Sequence, residues 1–362
     1  MNLDDLVNTT GSWWSGQGNQ SDIVVSVRAR LARNLADFPF IRRCSDADRD
    51  AICRQVRSVG EKLTDPCRFS FLDIAPMSTL DRQFLMERQW ISRELSEGTG
   101  ARGLLAGSDD RYSVMINEED HIRLQVLLPG LQLEEAWEHA KSLDQHLENH
   151  LRFAFHPDFG YLTACPTNAG TGLRLSVMMH LPGLVITKQM EKVFRSMQKI
   201  SIAVRGFFGE GSQFMGDFYQ ISNQVTLGQT EEELIGRVQE IIPRLLEYER
   251  MARDFLVREH AQDLGDQISR GLGILKTAKK ITSEEAMDHL SKVRLGISLG
   301  WIDPVPIATV HRLIIQTQPA HLQKRHGGIM TPSERNIERA KWLQNEFSHS
   351  GDSHLSGPDA IS

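Results

Sequence analysis

Five arginines occupy stretches that otherwise read as strands, where no solvated helix face can account for them. Arg28 and Arg30 lie in SVRARLARN, Arg123 in NEEDHIRLQ, Arg174 in GTGLRLSVMMH and Arg205 in RGFFGEGS. A guanidinium is a planar fork that binds phosphate oxygens in pairs and stays charged at neutral pH. Nearby glycines let a ligand approach the backbone. Taken one at a time, each arginine reads as an ordinary outward-facing or salt-bridged residue. Five together point to convergence on one polyanion. Acidic groups neighbour them: Glu118, Glu119 and Asp120 at an expected hairpin turn, and Glu210 just past Arg205. Acidic turns are commonplace, but their placement between arginine-bearing strands is less so.

These residues need a scaffold. Runs rich in Val, Ile, Phe or Tyr, bounded by Gly, Pro, Asn or Asp, predict strands at 22–28, 69–74, 112–116, 121–128, 161–165, 173–180, 202–208 and 218–227. Apolar residues at three- and four-residue intervals predict helices at 46–63, 132–151 and 187–200. The four residues Asn117 to Asp120 separate two strands as a hairpin would, so the sheet is at least partly antiparallel and the class is α+β. After Gly228 the strand signals stop. Thr230 with Glu233 three residues on gives a capping-box start to a long helix. With 362 residues, two domains are expected at about 150 residues each. The expected limits are 1–255 for the first and 256–347 for an all-helical second, with 348–362 a polar, disordered tail.

Composition narrows the field. The net charge of -6 leaves no global basic field for nucleic acid or an anionic membrane. No run is apolar enough to span a bilayer, and MNLDDLVNTT lacks the basic-then-apolar start of a secretory signal, so a cytoplasmic protein is expected. The four cysteines form no C-x-x-C pair. A Walker loop is absent, Asp158-Phe159-Gly160 lacks the other kinase motifs, and His146 with His150 lacks a third ligand, so no metal site is assigned.

SVRARLARN, NEEDHIRLQ, CPTNAGTGLRLSVMMHLP, RGFFGEGS and YQISNQVTLG resemble, in that order, the guanidino-kinase catalytic domain shared by creatine and arginine kinases. The closest resemblance is to McsB-type bacterial protein-arginine kinases, and it continues through VRLGISLG and RNIERA. It implies a glutamine-synthetase-like, mainly antiparallel sheet flanked by helices, followed by a helical regulatory domain. It further implies ATP as phosphoryl donor, held by Ser26, Val27, Arg28, Ala29, Arg30, Gln89, Arg123, Arg174, Leu175, Ser176, Val177, Met178, Arg205, Gly206, Phe207, Phe208, Gly209 and Glu210. Glu119 and Glu210 would grip the substrate guanidinium, and Cys165 would help position it. Mg2+ would bridge the phosphates, largely through water. The resemblance also implies a homodimer, protein substrates bearing arginine, and as partners a heat-shock repressor, a zinc-binding activator protein and a Clp chaperone-protease.

Such chemistry is mostly positioning and electrostatics. Arginine is a poor nucleophile because its guanidinium stays protonated to about pH 12, so a carboxylate, Glu119, is expected to accept the proton as the N–P bond forms. The arginine motif begins at Ser26, which leaves no room in this sequence for the helical domain that creatine and arginine kinases place ahead of theirs. An open acceptor side suits an arginine within a protein. The alternatives are a phosphagen-type kinase acting on a small guanidine and a catalytically inactive adaptor.

Two positions depart from the family pattern. Gln89 stands where a nucleotide-contacting histidine is usual, which predicts weaker nucleotide affinity. Asn336 replaces the acidic residue of an R-D-x-x-R-A motif that forms an allosteric phosphoarginine pocket. With Arg335 and Arg339 kept, phosphate binding with poorer discrimination for phosphoarginine is expected; the alternative is a surface helix with scattered charges.

Overall fold

The computed structural model describes residues 3–64, 66–207 and 215–349, together with the pair 354–355. Strands β1 (Val24–Arg33), β2 (Phe69–Asp73), β3 (Gly103–Gly107), β4 (Tyr112–Ile116) and β5 (Ile122–Pro129) belong to one sheet. A small separate ribbon is formed by β6 (Phe155–His156) and β7 (Gly160–Tyr161), after which β8 (Leu173–His180), β9 (Ile202–Arg205) and β10 (Phe218–Asn223) complete the main sheet. Its order is β2-β3-β4-β5-β1-β8-β10-β9, antiparallel at every pairing.

The sequence of β1 explains why the sheet has two unlike faces. Side chains alternate along a strand. Val27, Ala29 and Leu31 therefore point one way and are fully buried, in one apolar cluster with α1 (Asp46–Gly60), α4 (Leu133–Glu148) and α7 (Glu231–Glu259). Each fully buried Val or Leu contributes about 1.5–3 kcal/mol. Ser26, Arg28 and Arg30 point the other way. That second face is covered at one end by α2 (Thr79–Glu87), α3 (Arg93–Glu97) and the turn between them, through Leu85, Leu95 and Trp90 against Leu104 and Met115. Elsewhere it meets the helical half, where Leu127, Met178 and Phe218 share a cluster with Trp14, Leu290 and Leu313. The strip between these covers stays open.

Two short helices, α5 (Pro182–Ile186) and α6 (Met190–Lys199), lie between β8 and β9. The expected capping box is present at the start of α7: the Thr230 hydroxyl accepts from Glu233 N at 3.2 Å, and Glu233 accepts from Thr230 N at 2.9 Å. Beyond it follow α8 (Ala261–Thr277), α9 (Ser283–Ser298), α10 (Ile307–Gln316), α11 (Pro319–His326) and α12 (Pro332–His349). A two-residue ladder, β11 (Ile302–Asp303) with β12 (His354–Leu355), is an exception to the all-helical expectation and uses two residues of the polar tail. The rest of the tail, from 350, lies outside the described residues.

Several boundaries moved for physical reasons. β1 runs to Arg33 rather than Arg28 because the chain stays extended, paired with β8 as far as Leu31 and with β5 as far as Arg33. β3 was not anticipated: GLLAG is buried on both faces, so it shows no alternation, and its flanking glycines read as turns. The strand expected at 161–165 keeps only Tyr161. The segment after it is held by side chains, Asn34 Nδ2 to Leu162 O at 3.0 Å and Ala164 N to Asp120 Oδ1 at 2.7 Å, in place of a ladder. β10 ends at Asn223, whose side chain bonds Leu175 N and Leu173 O of β8.

Candidate active site

Strand register sets the arginines side by side. Arg30 faces Arg174 across β1–β8 and Gln125 across β1–β5, and Arg123 lies two residues from Gln125 on the same face. Gln220 of β10 faces both Arg205 of β9 and Met178 of β8, and Met178 faces Ser26. Arg28, Arg30, Arg123, Arg174 and Arg205 line one cleft of about 960 Å³, joined by Gln89, Glu118, Glu119, Cys165, Asn168 and Gln220. A narrow extension of about 10 Å³ leads off beside Trp13, Ser26, Ser176, Met178 and Phe207. The close approach of β8 depends on Gly172 (φ +65°), where a Cβ would lie 2.7 Å from Ala32 O.

Not every residue of the expected segments faces this cleft. Val27, Ala29, Leu175 and Val177 alternate onto the opposite face and fill the core. Gly206 follows Arg205, and the Phe207 ring packs against Trp14 and Phe218. Phe208, Gly209 and Glu210 lie outside the described residues.

The cleft is strongly cationic. Burial, reinforced by repulsion from Arg174, Arg123 and Arg205, pushes Arg28 down to about 10. Burial followed by Arg28 and Arg174 drives Arg30 well below the ordinary arginine range. Among the described residues, Nε of both Arg28 and Arg30 is buried without a hydrogen-bond partner. A buried donor left unpaired costs about 1–3 kcal/mol, so the cleft is built to gain from a bound anion.

Carboxylates answer it on one side. Arg123 donates Nη1 to Glu118 Oε1 at 2.7 Å and Nη2 to Glu119 Oε2 at 2.9 Å. Burial works against the Arg123 charge, but Glu118, Glu119 and Asp120 outweigh it and raise its pKa. The hairpin turn is therefore not a solvated acidic loop. Glu118 and Asp120 are buried, and Glu119 is the more open of the three, its carboxylate also accepting from Asn168 Nδ2 at 3.4 Å. Asp120 accepts from Asn34 Nδ2 and Ala164 N, both at 2.7 Å, and burial raises its pKa. It thereby fastens the strap that carries Cys165. His121 accepts from Leu35 N at 3.0 Å through Nδ1, so its Nε2–H donates to Pro39 O at 2.9 Å, and burial holds this neutral ring down to about 4. Cys165 opens a 3-10 turn at Pro166–Asn168 with its thiol 3.0 Å from Thr167 Oγ1. The anchoring roles of Asp120, His121 and Asn34 were not anticipated, nor was Asn168. Gln125 is a further cleft residue that the sequence reading does not assign; its place two residues beyond Arg123 on one strand is the signal that marks it.

Among the described residues no group of three or more His, Cys, Asp or Glu is placed to hold a metal ion. His146 and His150 direct Nδ1 to the carbonyls of Ser142 and His146, one helical turn back.

The family described as "ATP:guanido phosphotransferase, C-terminal catalytic domain" matches residues 51–252, and that described as "Protein-arginine kinase McsB C-terminal domain" matches residues 261–356. The protein-arginine kinase of Halothermothrix orenii is 44% identical over 345 residues, 95% of this chain and 99% of the relative. That of Symbiobacterium thermophilum is 43% identical over 356 residues, 96% and 100%. The chain belongs to the protein-arginine kinase family. Its fold is also that of a lombricine kinase crystal structure, with a TM-score of 0.58 at 22% identity, covering 67% of this chain and 70% of that one.

Gln89 adopts a left-handed backbone (φ +62°), an uncommon conformation for a side-chain-bearing residue. It accepts from Arg28 Nη1 at 3.2 Å through Oε1, and from Gln125 Nε2 at 2.6 Å through its carbonyl. In α12, Arg339 is no scattered surface charge. It is buried and donates to Thr317 O at 2.8 Å, Ile281 O at 3.0 Å and Asn336 Oδ1 at 2.8 Å, and burial, then Arg335, lowers it to about 10. Arg335 donates to Met330 O at 2.9 Å. Asn336 thus serves as an acceptor for Arg339 within the protein.

Proposed function

We propose that this member of the family transfers the γ-phosphoryl group of ATP to arginine side chains of proteins. The observation that carries the reading is five guanidinium groups lining one cleft, two of them with an unpartnered buried Nε, beside a half-open carboxylate at Glu119. Arg28, Arg30, Arg123, Arg174 and Arg205 hold the phosphates, with Ser26, Ser176, Met178 and Phe207 beside them. With no metal-holding group among the described residues, Mg2+ would be carried by the nucleotide's phosphates and water, and would supply charge neutralisation on the transferred group. Glu119, with Glu210, orients the acceptor guanidinium. As a terminal nitrogen bonds to the γ-phosphorus, the bond to the β–γ bridging oxygen breaks, ADP leaves with that electron pair, and the nitrogen's proton passes to Glu119. Cys165 packs against the acceptor group and steers it. Holding reactants in line in this way can lower the barrier by on the order of 7–11 kcal/mol.

The catalytic domain is taken as 1–255, the helical regulatory domain as 256–347 and the tail as 348–362; the interval between the two family matches, from 252 to 261, supports a boundary there. Among the described residues no helix is long and apolar enough to cross a membrane, in keeping with a cytoplasmic enzyme. Homodimerisation and contact with a heat-shock repressor, a zinc-binding activator and a Clp chaperone-protease rest on the family resemblance. Arg335, Asn336 and Arg339 are read as a phosphate pocket of low selectivity. Asn336→Asp should raise phosphoarginine affinity relative to phosphoserine in a titration of both variants; equal binding of neither ligand would leave these residues structural.

The central test is incubation with Mg-ATP and either free arginine or an arginine-rich protein, followed by mass spectrometry without acid. Phosphoarginine is expected on the protein acceptor. Product on free arginine alone would make this a small-guanidine kinase, and none on either an inactive adaptor.

A further inference from the structure

Three consecutive residues at the end of α2 tie three separate parts of the molecule together. Glu87, 6% exposed, caps the start of α11 in the helical half: its carboxylate accepts from Ala320 N at 2.8 Å, from His321 N at 3.0 Å and from His321 Nδ1 at 2.7 Å. His321 Nε2 is buried without a partner among the described residues, and burial lowers the ring's pKa, so the ring is neutral with its proton on Nδ1 toward Glu87. Arg88 donates Nη1 to Leu6 O at 2.9 Å and Thr9 O at 2.7 Å, and Nη2 to Asp110 at 2.9 Å. Gln89 then turns through its left-handed backbone into the cleft and meets Arg28. On the far side, Arg339 holds Thr317 O just ahead of α11.

The direction in which Gln89 leaves the chain is set by the turn that carries Glu87. Its backbone is fixed by Trp90 N to Leu85 O and by Gln89 N to Met86 O, both part of the same turn that α11 grips. We infer that Glu87 is a positioning residue for nucleotide binding, through which the helical half sets Gln89, and with it Arg28, in the phosphate cleft. A carboxylate suits this task because all three α11 contacts are donors. A glutamine amide would oppose one of them with its own N–H.

The inference rests on the reading of the cleft as the ATP site. Its test is a double-mutant cycle in the full-length protein, measuring the Mg-ATP dissociation constant by calorimetry, KM for ATP against kcat on a protein acceptor, and melting temperature without nucleotide. Glu87→Gln and Gln89→Ala should each weaken binding by roughly three- to tenfold, the range reached by substitutions along such contacts. The double variant should match Gln89→Ala within about twofold, because coupled residues are non-additive. KM should move more than kcat. His321→Ala, which leaves both backbone donors to Glu87, should shift binding in the same direction to a smaller extent and serves if Glu87→Gln does not fold. Effects that multiply in the double variant would mean that Glu87 does not act through Gln89, and a lower melting temperature with unchanged affinity would make it a stability residue only; either result overturns the inference. Failure of the wild-type protein to bind Mg-ATP would overturn the ATP reading itself, and the inference with it.

Discussion

At Glu119 charge and shape can be separated. Glu119→Gln keeps the size of the side chain and an oxygen for Arg123, but the amide cannot take the acceptor's proton. Loss of general-base assistance is typically 10²- to 10⁴-fold. Single-turnover phosphorylation of a protein acceptor should fall by that order while Mg-ATP affinity stays near wild type; a variant keeping more than about a tenth of the rate is incompatible with the proton-accepting role. Cys165 makes the opposite kind of case. Its thiol is only half-buried and touches Thr167, so Cys165→Ala should lower turnover while moving the melting temperature by less than about 2 °C. A large drop in stability with unchanged turnover would mark a packing thiol.

The sheet face is the element that concentrates charge, and the price is repulsion in the absence of ligand. Arg30 Nε is buried with no hydrogen-bond partner among the described residues, and the guanidinium is repelled by Arg28 and Arg174. Arg30→Met, which keeps the apolar stem, should therefore stabilise the nucleotide-free protein, by about 1 kcal/mol or roughly 2–4 °C, while weakening Mg-ATP binding by about 2–5 kcal/mol. Thermal scans with and without nucleotide should show these opposite signs. A fall in both would mean that Arg30 is structural. Parity along the strand decides which arginines belong to this face. Arg33, three residues on, emerges on the other side and is buried against Asp144 at 2.7 Å with Tyr161 stacked on it.

Across the whole molecule, the two halves are pinned by a buried polar relay. Arg294 of α9 donates Nε to His311 Nε2 at 3.0 Å and Nη1 to His180 Nδ1 at 2.8 Å. His180 in turn donates Nε2–H to Ser291 Oγ at 2.8 Å, and Ser291 donates to Asp217 at 3.0 Å. His311 donates Nδ1–H to Trp14 O at 3.2 Å. Each imidazole receives a bond from a guanidinium and so must be neutral; burial first, then Arg294, drives both pKa values well below the usual range. The unfolded chain binds protons at these histidines below about pH 6.5 and the folded protein does not. Their stabilisation is thus complete above that pH and declines as pH falls, by about 1.4 kcal/mol per histidine at pH 5.5. Burial raises Asp217 and Glu249, which act in the opposite sense, so the informative quantity is a difference. His311→Gln can accept from Arg294 and donate to Trp14 without titrating. Its melting temperature should fall less than that of wild type between pH 7.5 and 5.5, and parallel curves would remove His311 from the acid response.

Local chemistry was legible from the sequence. The alternating pattern of SVRARLARN sets Arg28 and Arg30 on one face, the spacing around Asn117–Asp120 makes a hairpin, and Thr230 with Glu233 starts a helix; each depends only on neighbours along the chain. The antiparallel α+β class and five arginines in one cleft followed from such signals. Contacts between distant segments were not legible. Whether Glu118 and Asp120 are solvated or buried, what fastens the Cys165 strap, and where Arg339 sends its donors depend on which segments meet in space. GLLAG forms β3, second from the sheet edge, and it shows no one-sided pattern because both its faces are covered. The link from Glu87 to His321 spans 234 positions, a separation at which no periodicity in the sequence carries information, so only the tertiary structure joins them.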